Sequence, residues 1–214
     1  MELKGKKINF LGDSITEGYG ASGADKVYHA LLKESANLAE ARNYGKSGTK
    51  IARLLEVTAD PFDQDFNLRA PGMEKDADVV VVFGGTNDYG HATIPLGSMD
   101  NQDIHTFYGG MHNLCQHLIK EYTGKTIVFM TPLHRMEEKA HSWSEKSSDL
   151  ICFVKAIREV CEYYSIPVLD LFKEGGIHGN MKVWCDVFMP DGLHPNDKGH
   201  ELIAHKLQKF LENL

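Results

Sequence analysis

Along this chain, short runs of branched apolar residues alternate with longer stretches whose apolar positions recur at helical spacing. Lys7-Ile8-Asn9-Phe10-Leu11 reads as a first strand ending at Gly12, and residues 26–40 place Val27, Ala30, Leu31 and Leu38 at near-helical intervals. The pattern then predicts a second strand over Ala41–Tyr44 and a helix from about Thr49 to Val57. Val79-Val80-Val81-Val82-Phe83 is the clearest strand. Its unbroken β-branched character implies burial on both faces, as in a parallel sheet. Helical spacing returns between Ile104 and Glu121 through Phe107, Met111, Leu114 and Leu118, and Thr126–Met130 forms a fourth strand that stops at Thr131-Pro132. Residues 147–164 read as a helix, Ile166–Leu171 as a fifth strand and 196–212 as a closing helix.

Strands separated by helices imply right-handed βαβ crossovers and an α/β fold with a doubly wound, five-stranded parallel sheet. No linker, repeat or low-complexity tract divides the chain, so residues 1–214 read as one domain. Three stretches fit the alternation poorly: residues 58–76, the segment from Phe83 to about Asp103, and 133–146. The last two begin at carboxyl ends of strands, where open α/β sheets bind ligands.

Composition narrows the class. Hydrophobic residues make up 42% of the chain and charged residues 25%, which is ordinary for a globular protein. A net charge of −7 disfavours nucleic acid or an anionic membrane as partner, because phosphate binding needs clustered Lys and Arg. Cys115, Cys152, Cys161 and Cys185 show no metal-ligand spacing and read as reduced thiols, mostly buried. The apolar run Ile8–Leu11 after Lys4, Lys6 and Lys7 is too short for a signal peptide, and no run reaches the ~20 residues that span a bilayer. A soluble, cytoplasmic protein without membrane insertion is expected.

Candidate chemistry lies where strands end. Ser14, in Gly12-Asp13-Ser14-Ile15-Thr16, follows the first strand, where a hydroxyl would stand exposed at the sheet edge beside a helix N-terminus. The same serine reads equally well as a helix N-cap. Asp191-Gly192-Leu193-His194-Pro195-Asn196 precedes the closing helix. A carboxylate three residues ahead of a histidine can fold back onto the ring, and an activated serine needs such an oriented base. Pro195 is expected in the first turn of that helix, and a plain capping loop is the competing reading. Gly84-Gly85-Thr86-Asn87-Asp88 follows the third strand and Asn43-Tyr44-Gly45-Lys46-Ser47-Gly48 the second. An amide side chain and a glycine N–H there could both donate to a developing oxyanion, though either segment alone is an ordinary turn. Asp13 and Asp88 read as turn-stabilising acids. His91, His134 and His178 read as loop histidines that form no ligand set.

Taken together, Gly12-Asp13-Ser14, the Asn-x-Gly-x-x-Gly segment ending at Gly48, Gly-x-Asn-Asp at 85–88 and Asp191-x-x-His194 resemble, in order and spacing, the blocks of the SGNH (GDSL-type) hydrolases. The resemblance extends over residues 12–195 and implies a flavodoxin-like three-layer α/β/α fold. It further implies Ser14 as nucleophile, His194 as general base oriented by Asp191, and an oxyanion hole of the Ser14 and Gly48 N–H groups with the Asn87 amide. No cofactor or metal is implied, and the expected partner is a small-molecule ester. The variable loops nominate Tyr89, His91, Leu133, His134 and Trp143 as substrate walls. The α/β-hydrolase motif G-x-S-x-G is absent around Ser14. An acyltransferase using the same acyl-enzyme stays open, as does a flavodoxin-like binding module with the Gly12–Thr16 turn as a phosphate cradle. The latter leaves Asn87, Asp191 and His194 without a role.

Overall fold

The five runs of β character form one all-parallel sheet: β1 (Lys7–Gly12), β2 (Glu40–Gly45), β3 (Val79–Phe83), β4 (Thr126–Met130) and β5 (Val168–Leu169), in the order β2-β1-β3-β4-β5. The computed structural model describes residues 1–91, 94–140 and 148–214. The helices are α1 (Ser14–Glu17), α2 (Tyr28–Ser35), α3 (Phe66–Arg69), α4 (Thr86–Gly90), α5 (Phe107–Glu121), α6 (Leu150–Tyr163), α7 (Leu171–Glu174), α8 (Lys182–Phe188) and α9 (Asp197–Glu212).

Alternation along the central strands sorts the core onto two faces. Leu11, Val80, Val82, Ile127 and Phe129 pack beneath α5 and α6. Ile8, Phe10, Val79, Val81, Phe83, Val128 and Met130 pack beneath α2 and α9. Every residue of β3 is buried. That explains its all-apolar sequence, since both faces of a three-layer sheet are covered and each such side chain contributes about 1.5–3 kcal/mol of transfer free energy as an upper bound. The strand order is that of the flavodoxin-like three-layer α/β/α fold. Laterally, Gly12 stands beside Gly45 of β2 and Phe83 of β3, so the loops after these strands leave from one row.

Several boundaries move, for identifiable reasons. No helix forms over Thr49–Val57. Its backbone groups are already engaged: the Ile51 and Ala52 N–H groups donate to the Asp88 carboxylate, Arg53 N–H donates to Ile104 O, and Lys50 O accepts from Phe66 N–H. The helix expected at 26–40 is confined to Tyr28–Ser35. The fifth strand shrinks to Val168–Leu169, because the Ile166 N–H closes onto Cys161 O and Asp170 caps α7 through the Lys173 N–H. Pro195 lies outside α9 rather than in its first turn, because Asn196 is the N-cap and accepts from the Gly199 N–H. Cys115 and Cys161 are buried, and all four cysteines are free thiols.

Candidate active site

Ser14 sits at the start of α1, and its side chain reaches the far end of the chain. Its N-cap is Asp13, whose carboxyl accepts the Ile15 N–H at 3.0 Å, so the serine itself is not the cap. The Ser14 hydroxyl lies 3.1 Å from His194 Nε2, and His194 Nδ1 lies 2.6 Å from Asp191 Oδ2. The other Asp191 oxygen accepts the Leu193 and His194 N–H groups at 2.9 and 2.7 Å, which locks the carboxylate onto its own turn. Gly192, at φ +73°, supplies the left-handed residue that this turn needs. Burial alone would raise the Asp191 carboxyl, but the His194 and Leu193 N–H groups and the imidazole outweigh it and hold the acid below its ordinary value. A carboxylate that stays ionised can keep a neutral imidazole in the tautomer with hydrogen on Nδ1, leaving Nε2 free to accept the hydroxyl proton.

Three amide donors occupy the neighbouring loops. The N–H of Ser14, first residue of α1, and that of Gly48 have no protein acceptor among the described residues. Gly48 adopts φ +73°, and a Cβ there would stand 2.6 Å from the Phe62 ring. Asn87 is buried on α4 and donates one amide hydrogen to Thr49 O at 3.0 Å, which leaves the second for another acceptor. The same bond ties the third-strand loop to the residue after Gly48.

Positioning residues outside the four motifs hold this edge together. Arg69 donates to Gly12 O at 3.0 Å and to Thr49 Oγ1 at 2.9 Å, and also to Tyr44 O, so one guanidinium staples the ends of β1 and β2. Glu17 accepts the Ser47 N–H at 2.7 Å and pins the loop before Gly48 to α1. A Cβ at Gly45 would meet Glu17 N at 2.1 Å, so α1 can pack this closely on β2 only over a glycine. Tyr19, largely exposed, rests its ring 4.4 Å from that of His194. Arg69, Glu17 and Tyr19 escape a sequence reading because nothing in their local pattern distinguishes them from surface residues.

The nominated wall residues scatter. Tyr89 is buried, its ring edge-on to Phe153 and its hydroxyl donating to Glu137 O. Leu133 is also buried. His91 is exposed at the end of α4. His134 is half-buried and stacks on His178, so these two loop histidines adjoin. Trp143 lies outside the described residues.

Asp13 braces its own turn through the Ile15 N–H, whereas Asp88, read as a local turn acid, reaches across to the Ile51 and Ala52 N–H groups of another loop. Burial raises both, Asp13 to about 7 and Asp88 to about 6. Asp13 therefore binds a proton in the folded protein well above the ordinary value of 3.8. Its stabilising contribution is complete below the unfolded value and disappears as pH rises through about 7. His29 and His200, both depressed by burial to about 4, act in the opposite sense. They stay neutral in the fold and cost stability as pH falls from 6.5 towards 4. Asp13→Asn keeps an acceptor for Ile15 but removes the compensating acid. Its denaturant-derived stability is expected to fall more steeply between about pH 7 and 5 than wild type, by about 2 kcal/mol. Parallel pH profiles for the two proteins would show that Asp13 is ionised throughout.

The GDSL-like Lipase/Acylhydrolase family model matches residues 10–202. The chain belongs to that family. As a GDSL-like family member it is similar in structure to a Lactobacillus plantarum protein, with 30% identity over 98% of each chain and a TM-score of 0.85. It shares its fold with a lipase/acylhydrolase from Enterococcus faecalis (23% identity, 97% of this chain and 96% of that one, TM-score 0.65). The acetyl xylan esterase AlAXEase is likewise similar in fold (23% identity, 96% and 99%, TM-score 0.67). No curated protein matches the chain. Among the described residues no helix of this GDSL-like protein is long and apolar enough to cross a membrane.

Proposed function

We propose that this protein hydrolyses carboxylic esters through an acyl-enzyme on Ser14. The observation that carries the reading is the unbroken path from the Ser14 hydroxyl through His194 to Asp191, with contacts of 3.1 and 2.6 Å. Nε2 of His194 takes the hydroxyl proton as Oγ attacks the ester carbonyl. The new oxyanion accepts hydrogen bonds from the Ser14 and Gly48 N–H groups and the free Asn87 amide hydrogen. The imidazolium then protonates the leaving alcohol, the C–O bond breaks, and an acyl-serine remains. Water, deprotonated by the same nitrogen, attacks this ester and releases the acid and the free serine. Asp13 beside the nucleophile does not oppose the oxyanion while its buried carboxyl carries a proton.

The leaving alcohol departs next to His194, so the exposed Tyr19 ring is a wall on that side, and His91 is the nominated wall residue that stands exposed at the surface. Short acyl esters and acetylated xylan belong in the first substrate panel, the latter because of the fold shared with AlAXEase. Adding alcohols to the assay separates hydrolysis from acyl transfer.

A fluorophosphonate probe is expected to label the wild type covalently and to leave Ser14→Ala unlabelled, as read by intact-protein mass spectrometry. Equal labelling of both proteins would remove Ser14 from the mechanism.

A further inference from the structure

Behind the Asp191 turn, two loops bring a second set of chemically capable side chains together. His134 and Glu138 follow β4, whereas His178 follows α7, and one donor atom from each lies within 4.8 Å of the others. The backbone fixes this meeting. His134 and His178 form a parallel bridge, the Gly179 N–H donates to His134 O at 3.3 Å, and the Glu137 N–H reaches the Asn180 side chain, also at 3.3 Å. Glu137 holds φ +61°, a left-handed conformation uncommon for a residue with a side chain. It turns the chain so that Glu138 faces back onto the ring of His134, with Nδ1 and Oε1 2.8 Å apart. The two imidazoles stack at 4.0 Å between centroids, and Phe172 lies 3.7 Å from His134. The His134 and Glu138 side chains are only 22% and 15% exposed, so the cluster is reachable but poorly hydrated.

We propose that His134, Glu138 and His178 form a binding site for a divalent transition-metal ion of the zinc type, separate from the Ser14 site. Two imidazoles and one carboxylate are a donor set suited to such ions, leaving one tetrahedral position open, and with neutral imidazoles the set carries one negative charge. Calcium and magnesium need more oxygen donors than these loops supply. Binding displaces the proton that His134 Nδ1 shares with Glu138 Oε1 and releases it to solvent. The two rings must then turn out of their stack so that each in-plane lone pair faces the ion, and the donor atoms close to about 3.3 Å from one another, the spacing set by metal–ligand bonds of about 2.0–2.1 Å. Outer contacts already orient the carboxylate, because the Arg135 N–H donates to Glu138 Oε1 at 2.8 Å. The next residue reaches the catalytic side: the Met136 N–H donates to Gly192 O at 2.8 Å, so an ion here would clamp the loop that backs the Asp191 turn. The proposal does not depend on the esterase reading.

The test is calorimetric titration of chelator-treated wild type with zinc chloride, with calcium and magnesium chlorides as comparisons. One zinc per chain is expected, with a Kd of about 10 µM or tighter, and a rise in Tm of about 5 °C or more at hundredfold excess over Kd. Cobalt(II) at the same site should give visible absorption of tetrahedral character. His178→Gln and Glu138→Gln should each weaken zinc binding at least about tenfold. His205→Gln, an exposed histidine on α9, should not. Circular dichroism confirms that each variant is folded. Should either loop variant fail to fold, the cobalt spectrum and stoichiometry of the wild type decide. No saturable zinc binding below about 1 mM, a non-tetrahedral cobalt spectrum, or affinity unchanged in folded His178→Gln and Glu138→Gln would overturn the site.

Discussion

His194→Ala is expected to lose ester hydrolysis almost completely, by about 10⁶-fold in kcat, while Asp191→Asn keeps measurable activity about 10²–10⁴-fold below wild type. Without the imidazole, no group among the described residues in contact with the Ser14 hydroxyl can take its proton. Without the Asp191 charge the ring is still placed, because the turn that carries it is also held by Gly192 and by the backbone around Pro195. The Asp191 side chain is 49% exposed, so water can take over part of its contact with Nδ1. The two residues act as one unit, so Asp191→Asn should cost little more in a His194→Ala background. The check is kcat for both single variants and the double, with circular dichroism on all three. Greater damage from Asp191→Asn than from His194→Ala would assign the base to another residue.

Asn87→Ala should lower kcat by about 10²–10³-fold with a small effect on KM, the signature of a donor that matters chiefly in the transition state. The structure adds a second route to the same loss. The Asn87 amide also donates to Thr49 O at 3.0 Å, so its removal frees the segment that carries Gly48. Two of the three proposed oxyanion donors would then be affected at once. Steady-state kinetics on a short acyl ester measures this. A fall of less than about threefold in a folded variant would reduce Asn87 to a turn residue.

Periodicity made the sheet legible. The β3 run could be nothing but a strand buried on both faces, and the helices that cover it showed their apolar stripes. Local pattern failed where tertiary partners took over the backbone. Nothing near residues 49–57 indicates that Asp88 will claim the Ile51 and Ala52 N–H groups, so a periodic segment read as helix and folded as loop. The four polar motifs were readable because short motifs keep their chemistry in sequence; three follow strands β1, β2 and β3, whereas Asp191 and His194 lie in the loop between α8 and α9. The groups that aim them were not readable. Arg69 acts through contacts with Tyr44, Gly12 and Thr49, which are distant in the chain. The meeting of His134 and His178 was not readable for the same reason, since two loops separated by α6, β5 and α7 come together only in the fold.

The contact between Ser14 and His194 joins residues 180 positions apart, and this has a consequence for how the chain acquires activity. Closing a flexible loop of that length costs on the order of 5 kcal/mol of chain entropy. The contact itself returns only about 1 kcal/mol. What offsets the closure is α9, whose Ile203, Ala204, Leu207 and Leu211 enter the core beside Tyr28 and Leu32 of α2. Ser14 and His194, the proposed nucleophile and base, therefore meet as a by-product of docking the last helix. On the proposed mechanism, a chain growing from its N-terminus displays Ser14 early and gains its base only when residues beyond His194 have packed. Onset of turnover in a refolding or translation experiment should mark the arrival of the C-terminal helix rather than the formation of the sheet.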